Sequence, residues 1–247
     1  IVAKQVGLSP YGREHMLDWA AATFNMLGPL NDLTEQAIPT ALEMVGYIEG
    51  LVPEQLDPNG WAAKILAAGE DGRLSKEEAS AMVTDYVAPS LDTTILATAH
   101  MFWQLATCSG AYSEVRENPA LVPSVVNECV RLASPIRCFT RYAQLDFEFG
   151  GCMIPAGARA MVLYASANRD EIRYPQANEF QLDRNPRDQM AWGHGAHTCA
   201  GMHLARMEME ALLYALLQHA RELTVGEPSI LLSNVLQGYS ALPGSIN

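Results

Sequence analysis

Basic residues are scarce in this chain: 16 lysines and arginines stand against 28 aspartates and glutamates, a formal net charge of −12. Such a surface repels phosphate backbones and anionic lipid headgroups, so neither nucleic acid nor a membrane is an expected partner. Long apolar runs are missing too. No window reaches the roughly 18 consecutive apolar residues that a membrane span needs. The start, Ile1-Val2-Ala3-Lys4-Gln5, has no apolar stretch behind a basic head. A cytoplasmic protein is the expectation. Cysteine pairs are also lacking: Cys108, Cys129, Cys138, Cys152 and Cys199 are odd in number and contain no CxxC, which speaks against a disulfide framework or a multi-cysteine zinc site. Four of them read as small apolar packing residues. There is no internal repeat and no low-complexity linker, and 49% hydrophobic residues over 247 positions suffice for a core. The expectation is a single domain over residues 1–247.

What is present begins as helix. Apolar residues recur at three- and four-residue spacing from Arg13 to Leu27, Leu33 to Leu51 and Pro58 to Ala68, with Gly28-Pro29 and Pro53 as punctuation. Ser75 followed by Glu78 is a capping-box signature, and the helical pattern behind it runs to about Thr107. One central helix of about 50 Å is predicted there. A further helix spans Val122 to Ala133 and ends at Ser134-Pro135, because a residue before proline disfavours the α region. Short β-prone runs follow at Phe139–Phe149, Cys152–Ile154 and Arg159–Leu163, and predict a small antiparallel sheet. A polar loop from Asn168 to Asp188, a strong helix from Ala200 to His219 and a hairpin from Glu222 to Pro243 complete the reading. The fold class is mainly α, of the α+β type.

The chemistry concentrates in Ala191-Trp192-Gly193-His194-Gly195-Ala196-His197-Thr198-Cys199-Ala200-Gly201. This loop leads directly into a helix, and free N–H groups at a helix start favour an anion at the Cys199 sulfur. Gly193, Gly195 and Gly201 permit tight turns and close approach to a flat partner. A thiolate held by backbone N–H groups under a planar ring is what an axial iron ligand requires. Zinc is the competing reading for His194, His197, Cys199 and His203. Those four crowd into one short stretch with no second cluster, whereas closed zinc sites draw ligands from separated turns. A Gly-rich helix entry with a merely structural cysteine is the plainer alternative.

The same loop resembles the cysteine loop of the cytochrome P450 family, F-x-x-G-x-[HR]-x-C-x-G, with Gly195, His197, Cys199 and Gly201 in place and Trp192 where phenylalanine is usual. Further family signatures occur in order. Glu128-Cys129-Val130-Arg131 matches E-x-x-R, and i,i+3 spacing puts both charges on one helix face. By itself such a pair is usually a solvated one of little value. Asn178 to Arg184 resembles the loop that supplies the third member, Arg184, whose planar guanidinium suits a buried bidentate contact with Glu128. Asn168-Arg169-Asp170 fits the turn after the sheet. Pro89-Ser90-Leu91-Asp92-Thr93-Thr94 resembles [AG]-G-x-[DE]-T-T. Pro89 and Ser90 depart from that pattern, and Pro89 predicts a kink beside the acid–alcohol pair.

The resemblance implies haem b, iron protoporphyrin IX, with Cys199 as axial ligand and metal-binding residue. It places His197 and Arg141 at the propionates, with Trp192, Gly195 and Gly201 around the ring. It makes Asp92 and Thr93 the proton relay, and Glu128, Arg131 and Arg184 structural supports. For helical threonine a bond back to the i−4 carbonyl is the commoner fate. Ser90, Thr94, Ile136, Arg137, Val235 and Leu236 would line a substrate pocket. The implied activity is monooxygenation of a small organic, possibly aromatic, compound by hydroxylation or O-demethylation. Dioxygen and a separate ferredoxin or flavodoxin with its reductase complete the system. The resemblance begins at about residue 6 and implies that an amino-terminal part of the family fold is absent. A truncated, non-catalytic haem binder is therefore the alternative, and peroxide-driven chemistry a third reading.

Overall fold

A computed structural model describes residues 1–247 and divides by contacts into two compact units. The first holds residues 1–95 and 232–234, the second residues 96–231 and 235–247.

The first unit is helical: α1 (Val2–Val6), α2 (Pro10–Met26), α3 (Asp32–Glu49), α4 (Trp61–Glu70) and α5 (Lys76–Val87). Caps set these boundaries. Ser9 accepts from Gly12 N with Pro10 in the first turn, and Asn31 accepts from Thr34 N. The capping box is formed at both ends, Glu78 N to Ser75 Oγ at 3.1 Å and Ser75 N to Glu78 Oε2 at 2.8 Å. Ala22 packs against Ala37 and Ala41, small residues that let α2 and α3 approach closely. The tail segment 232–234 returns to this unit. Asn234 Nδ2 donates to the Asn25 carbonyl at 2.7 Å and to Thr34 Oγ1 at 3.0 Å.

The single central helix is corrected here. Helix α5 ends at Val87, Ala88 to Leu91 are bent, and α6 (Asp92–Thr107) starts afresh. Pro89 lacks the N–H and its ring collides with the preceding turn, so the anticipated kink is a full interruption. Helix α6 begins in the first unit and continues into the second.

In the second unit α7 (Ala111–Glu117), which apolar spacing did not single out, leads to α8 (Val122–Ala133). Every residue of α8 from Val125 to Ala133 is buried. Its valines, with Met101 and Leu105 of α6, pack with Met209, Leu213 and Leu216 of α10 (Met202–His219) into the main apolar cluster. Ser134 closes α8 with φ 38°, Pro135 follows, and the helix ends where the sequence predicts.

The expected small sheet is two nested antiparallel ribbons. β1 (Phe139–Tyr142) pairs with β4 (Arg159–Val162), and β2 (Phe147–Phe149) with β3 (Cys152–Ile154). A short α9 (Tyr164–Ala167) precedes the polar loop. The tail likewise makes two pairs rather than one hairpin: β5 (Leu223–Val225) with β8 (Gly244–Ile246), and β6 (Ser229–Ile230) with β7 (Tyr239–Ala241). All five cysteines are free; Cys129 is buried, but Cys152 is exposed on β3 rather than packed. No helix is long and apolar enough to cross a membrane.

Candidate haem-thiolate site

The cysteine loop is built on a turn at Met190–Trp192. The Trp192 carbonyl accepts from Cys199 N at 2.7 Å, which folds the intervening residues into a closed loop. Two glycines in that loop have backbones other residues rarely adopt: Gly193 at φ 69° and Gly195 at φ 67°. A Cβ on Gly193 would lie 2.9 Å from the His197 carbonyl oxygen, so a side chain there would open the loop. Gly201 is different. It caps α10 with an ordinary φ of −83°, and its contribution is open space beside the sulfur rather than a tight turn.

The helix starts at Met202, two residues later than the sequence suggests, and Cys199 precedes its cap. Burial by the loop raises the thiol pKa, while the N–H groups of Gly201 and Met202 pull it down. Burial is the larger effect, so the loop alone holds Cys199 as a thiol, which corrects the simple helix-dipole expectation. A cationic metal at the sulfur would supply the missing stabilisation, since coordination deprotonates a thiol. The donor set fits a haem iron: one partly buried sulfur on a solvent-accessible cysteine, faced by two N–H groups and with Gly201 beside it in place of a side chain. It does not fit zinc. No three His, Cys, Asp or Glu side chains converge anywhere in the chain, so His194, His197, Cys199 and His203 form no cluster. His197 is exposed within the 3-10 turn Gly195–His197. Trp192 packs its ring against the main core, and its buried indole Nε1 has no hydrogen-bond partner.

A fully buried ion pair stands on α8. Glu128 and Arg131 are fully buried on α8 and meet face to face, with Nε to Oε2 and Nη2 to Oε1 both at 2.7 Å. The bidentate partner of Glu128 is therefore Arg131, not Arg184. Arg184 reaches Glu128 Oε1 with Nε at 3.4 Å and donates through Nη2 to the Pro175 carbonyl at 2.8 Å. Arg131 Nη1 donates to the Asn168 and Ala177 carbonyls at 2.5 and 2.8 Å, and its guanidinium lies over the Tyr174 ring. The structure thus brings the E-x-x-R residues and the later arginine together.

Asn168 is a residue the sequence reading left as a turn position. It is completely buried, donates to Ser134 Oγ at 2.8 Å and accepts from Met190 N at 2.6 Å. Arg141 lies on β1, where Nη1 donates to the Thr140 carbonyl at 2.9 Å and Nη2 to the Tyr164 hydroxyl at 3.2 Å. Ile136 bridges Leu236, and Arg137 N donates to the Val235 carbonyl at 3.2 Å, so four of the six pocket residues adjoin in the second unit. Val235 and Leu236 are themselves buried.

Asp92 and Thr93 open α6 in the first unit. Asp92 is buried, and burial followed by repulsion from Asp18 raises its pKa to about 6. Thr93 Oγ1 donates to the Pro89 carbonyl at 3.1 Å, the ordinary bond of a helical threonine, which occupies its proton and leaves its lone pairs free. Ser90 Oγ likewise donates to the Tyr86 carbonyl, and Thr94 follows in the first turn of α6.

The family pattern described as Cytochrome P450 matches residues 53–227. The chain is 31% identical over 240 residues to cytochrome P450 CYP199A2 of Rhodopseudomonas palustris, covering 96% of this chain and 58% of that protein. It is 32% identical over 180 residues to the beta-dihydromenaquinone-9 omega-hydroxylase of Mycobacterium tuberculosis, covering 72% of this chain and 37% of that one. Among solved structures, the haem domain of Acinetobacter radioresistens CYP116B5 matches with TM-score 0.87 at 23% identity, over 100% of this chain and 62% of that domain. Cytochrome P450 CYP109Q5 of Chondromyces apiculatus matches with TM-score 0.81 at 26% identity, over 99% and 62%. The chain therefore spans less than two thirds of the length of these relatives. With the cysteine loop, the buried E-x-x-R pair and these matches in agreement, the chain belongs to the cytochrome P450 family, whose proteins carry haem b.

Proposed function

We propose that residues 1–247 belong to one haem-thiolate domain of a monooxygenase, with Cys199 as the axial ligand of haem b. The observation that carries this is the closed loop that presents Cys199 at the surface, its sulfur faced by the N–H groups of Gly201 and Met202. Bound haem would supply dioxygen activation, and a thiolate ligand donates the electron density that favours O–O cleavage. The chain's own residues hold and feed it. His197 and Arg141 would offer a ring nitrogen and a guanidinium to the propionates, and Trp192, Gly195 and Gly201 would lie around the ring.

Asp92 handles protons. A carboxyl with pKa about 6 exchanges protons readily near neutrality, as a general acid–base group must. The lone pairs of Thr93 can accept from a proton donor while its own O–H donates to the Pro89 carbonyl. Glu128, Arg131 and Arg184 remain supports. Ser90, Thr94, Ile136, Arg137, Val235 and Leu236 favour a small, largely apolar or aromatic substrate, hydroxylated or O-demethylated. Electrons come from a ferredoxin or flavodoxin with its reductase. A cytoplasmic location is part of the same proposal.

The test is the reduced-plus-carbon-monoxide difference spectrum of the haem-reconstituted chain beside Cys199→Ala. A strongly red-shifted Soret band that the substitution abolishes supports thiolate ligation; a band indifferent to the substitution overturns it. A second reading is a haem binder that does not turn over, in which Thr93 makes only its helical bond to the Pro89 carbonyl. Product formation with electron donors present separates the two.

A further inference from the structure

The proton-handling residues and the ligand attract attention first, yet the hydrogen bonds single out an amide. Between the buried Glu128–Arg131 pair and the cysteine loop there is one connected path. Arg131 Nη1 donates to the Asn168 carbonyl at 2.5 Å. The Asn168 side chain accepts from Met190 N at 2.6 Å, and Nδ2 donates to Ser134 Oγ at 2.8 Å. Gln189 caps the next N–H of the same turn, Ala191 N to Oε1 at 2.6 Å. At the other end of that turn, the Trp192 carbonyl takes Cys199 N at 2.7 Å. Two side-chain amides thus fix the first two N–H groups of a turn whose last carbonyl holds the cysteine.

We propose that Asn168 is a positioning residue for Cys199, which conveys the rigidity of the Glu128–Arg131 pair to the ligand loop through the turn at Met190–Trp192. The physical grounds are burial and directionality. Asn168 is wholly inaccessible, so no water replaces a lost partner, and an unmade buried hydrogen bond costs more than a made one gains. Only an amide serves here, because Asn168 must accept from Met190 N and donate to Ser134 Oγ at once. An ionised aspartate lacks the donor, and serine has only one oxygen, on a shorter side chain, where the amide has a separate acceptor and donor atom. Glu128 and Arg131 touch no part of the loop themselves in this path, which gives them an action at a distance through Asn168. Support of this kind, one step removed from the ligand, sets how well the ligand is aimed. As far as haem is concerned the inference rests on the haem-thiolate reading above; its claim on the loop does not.

The experiment compares the wild-type chain with Asn168→Ala, and with Val115→Ala as a core truncation in α7 away from this path. Hydrogen exchange of the Cys199 amide is followed in the haem-free chain, and haem uptake is titrated separately. Asn168→Ala should speed exchange at Cys199 about tenfold over wild type, the loss of one buried hydrogen bond's worth of protection. Exchange in the β2–β3 ribbon should stay unchanged. Haem affinity should fall about 10- to 100-fold, as for other residues that support a metal ligand. Val115→Ala should lower the melting temperature without either local effect. If Asn168→Ala does not fold, Gln189→Ala, which frees only Ala191 N–H, should show the same local change at smaller size. Exchange at Cys199 that is no faster than in Val115→Ala overturns the proposal. Faster exchange in a chain whose wild type takes up no haem supports the positioning role and overturns the haem-thiolate reading instead.

Discussion

Two carboxylates of this chain are buried, and they have opposite surroundings. Glu128, with no exposure, receives both nitrogens of Arg131, a contact from Arg184 and the N–H of Gln181 at 3.4 Å. Asp92, 9% exposed, is acted on by no favourable charge; burial and Asp18 both push its proton affinity up. A carboxylate with both oxygens engaged by an arginine is a piece of scaffold. One that is buried without a counter-charge stores electrostatic free energy that a protein retains only where it is used, which is why Asp92 is the better candidate for chemistry. Two buried carboxylates are thus held in opposite ways, Glu128 compensated by arginine and Asp92 without a counter-charge.

The sharpest way to break the comparison is to remove the counter-charge. Arg131→Ala leaves Glu128 buried without its main partner, and breaking such a pair costs about 3–5 kcal/mol. Denaturant unfolding should show that loss, and the Asn168 and Ala177 carbonyls lose their donor with it. A loss below about 1 kcal/mol would place Glu128 among ordinary surface pairs. Arg184→Ala should cost less, because its contact with Glu128 is a single one at 3.4 Å.

Next in size is an acid limb set by His100. It lies on α6, stacks on Tyr239 with ring centroids 6.0 Å apart, and meets Gln104 Nε2 through its own Nε2 at 3.1 Å. Burial, then Arg169, lowers its pKa to about 4. The unfolded chain binds a proton at about pH 6.5 and the folded one only near pH 4. Stability is full above 6.5 and falls as the pH drops through that window, by about 3 kcal/mol. Asp92 has the opposite sign: its raised pKa favours the folded state at low pH, and that contribution is lost as the pH rises from about 4 to about 6. The two slopes oppose each other on one helix. Replacing His100 with Gln should flatten the acid limb in a pH series of unfolding curves.

How much of this was legible in the sequence depends on whether the signal was local. The cysteine loop, the capping box at Ser75 and the end of α8 at Ser134-Pro135 were, because glycines, caps and prolines act on their own neighbours. The length of the central helix was misjudged because apolar periodicity continues across Pro89, while the missing N–H interrupts the backbone. The E-x-x-R pair was identifiable, but its burial was not, since i,i+3 charges look alike on a wet and a dry face. Asn168 and His100 depend on partners far along the chain: Met190 and Ser134 for one, Arg169 and Tyr239 for the other. No spacing rule announces such contacts. Asn168 is buried between exposed neighbours, Ala167 and Arg169, so nothing local marks it.

The smaller effects test the other half of the comparison. If Asp92 is held uncomfortably for function, Asp92→Asn should stabilise the chain at pH 7 by about 1–2 kcal/mol, after allowance for partial solvent screening of the shift. It should give little at pH 4, where the native carboxyl is already protonated. An Asn that leaves stability unchanged at both pH values would mean that Asp92 is adequately solvated after all. Thr93→Ala is the finest probe. Its hydroxyl makes one bond, to the Pro89 carbonyl at the break before α6, so its removal should change stability by only about 0.5 kcal/mol. Its effect should appear instead in coupling, as electrons consumed without product once haem and donors are present. Equal coupling in the two chains would make Thr93 a cap for the interrupted helix and leave Asp92 to move protons without it.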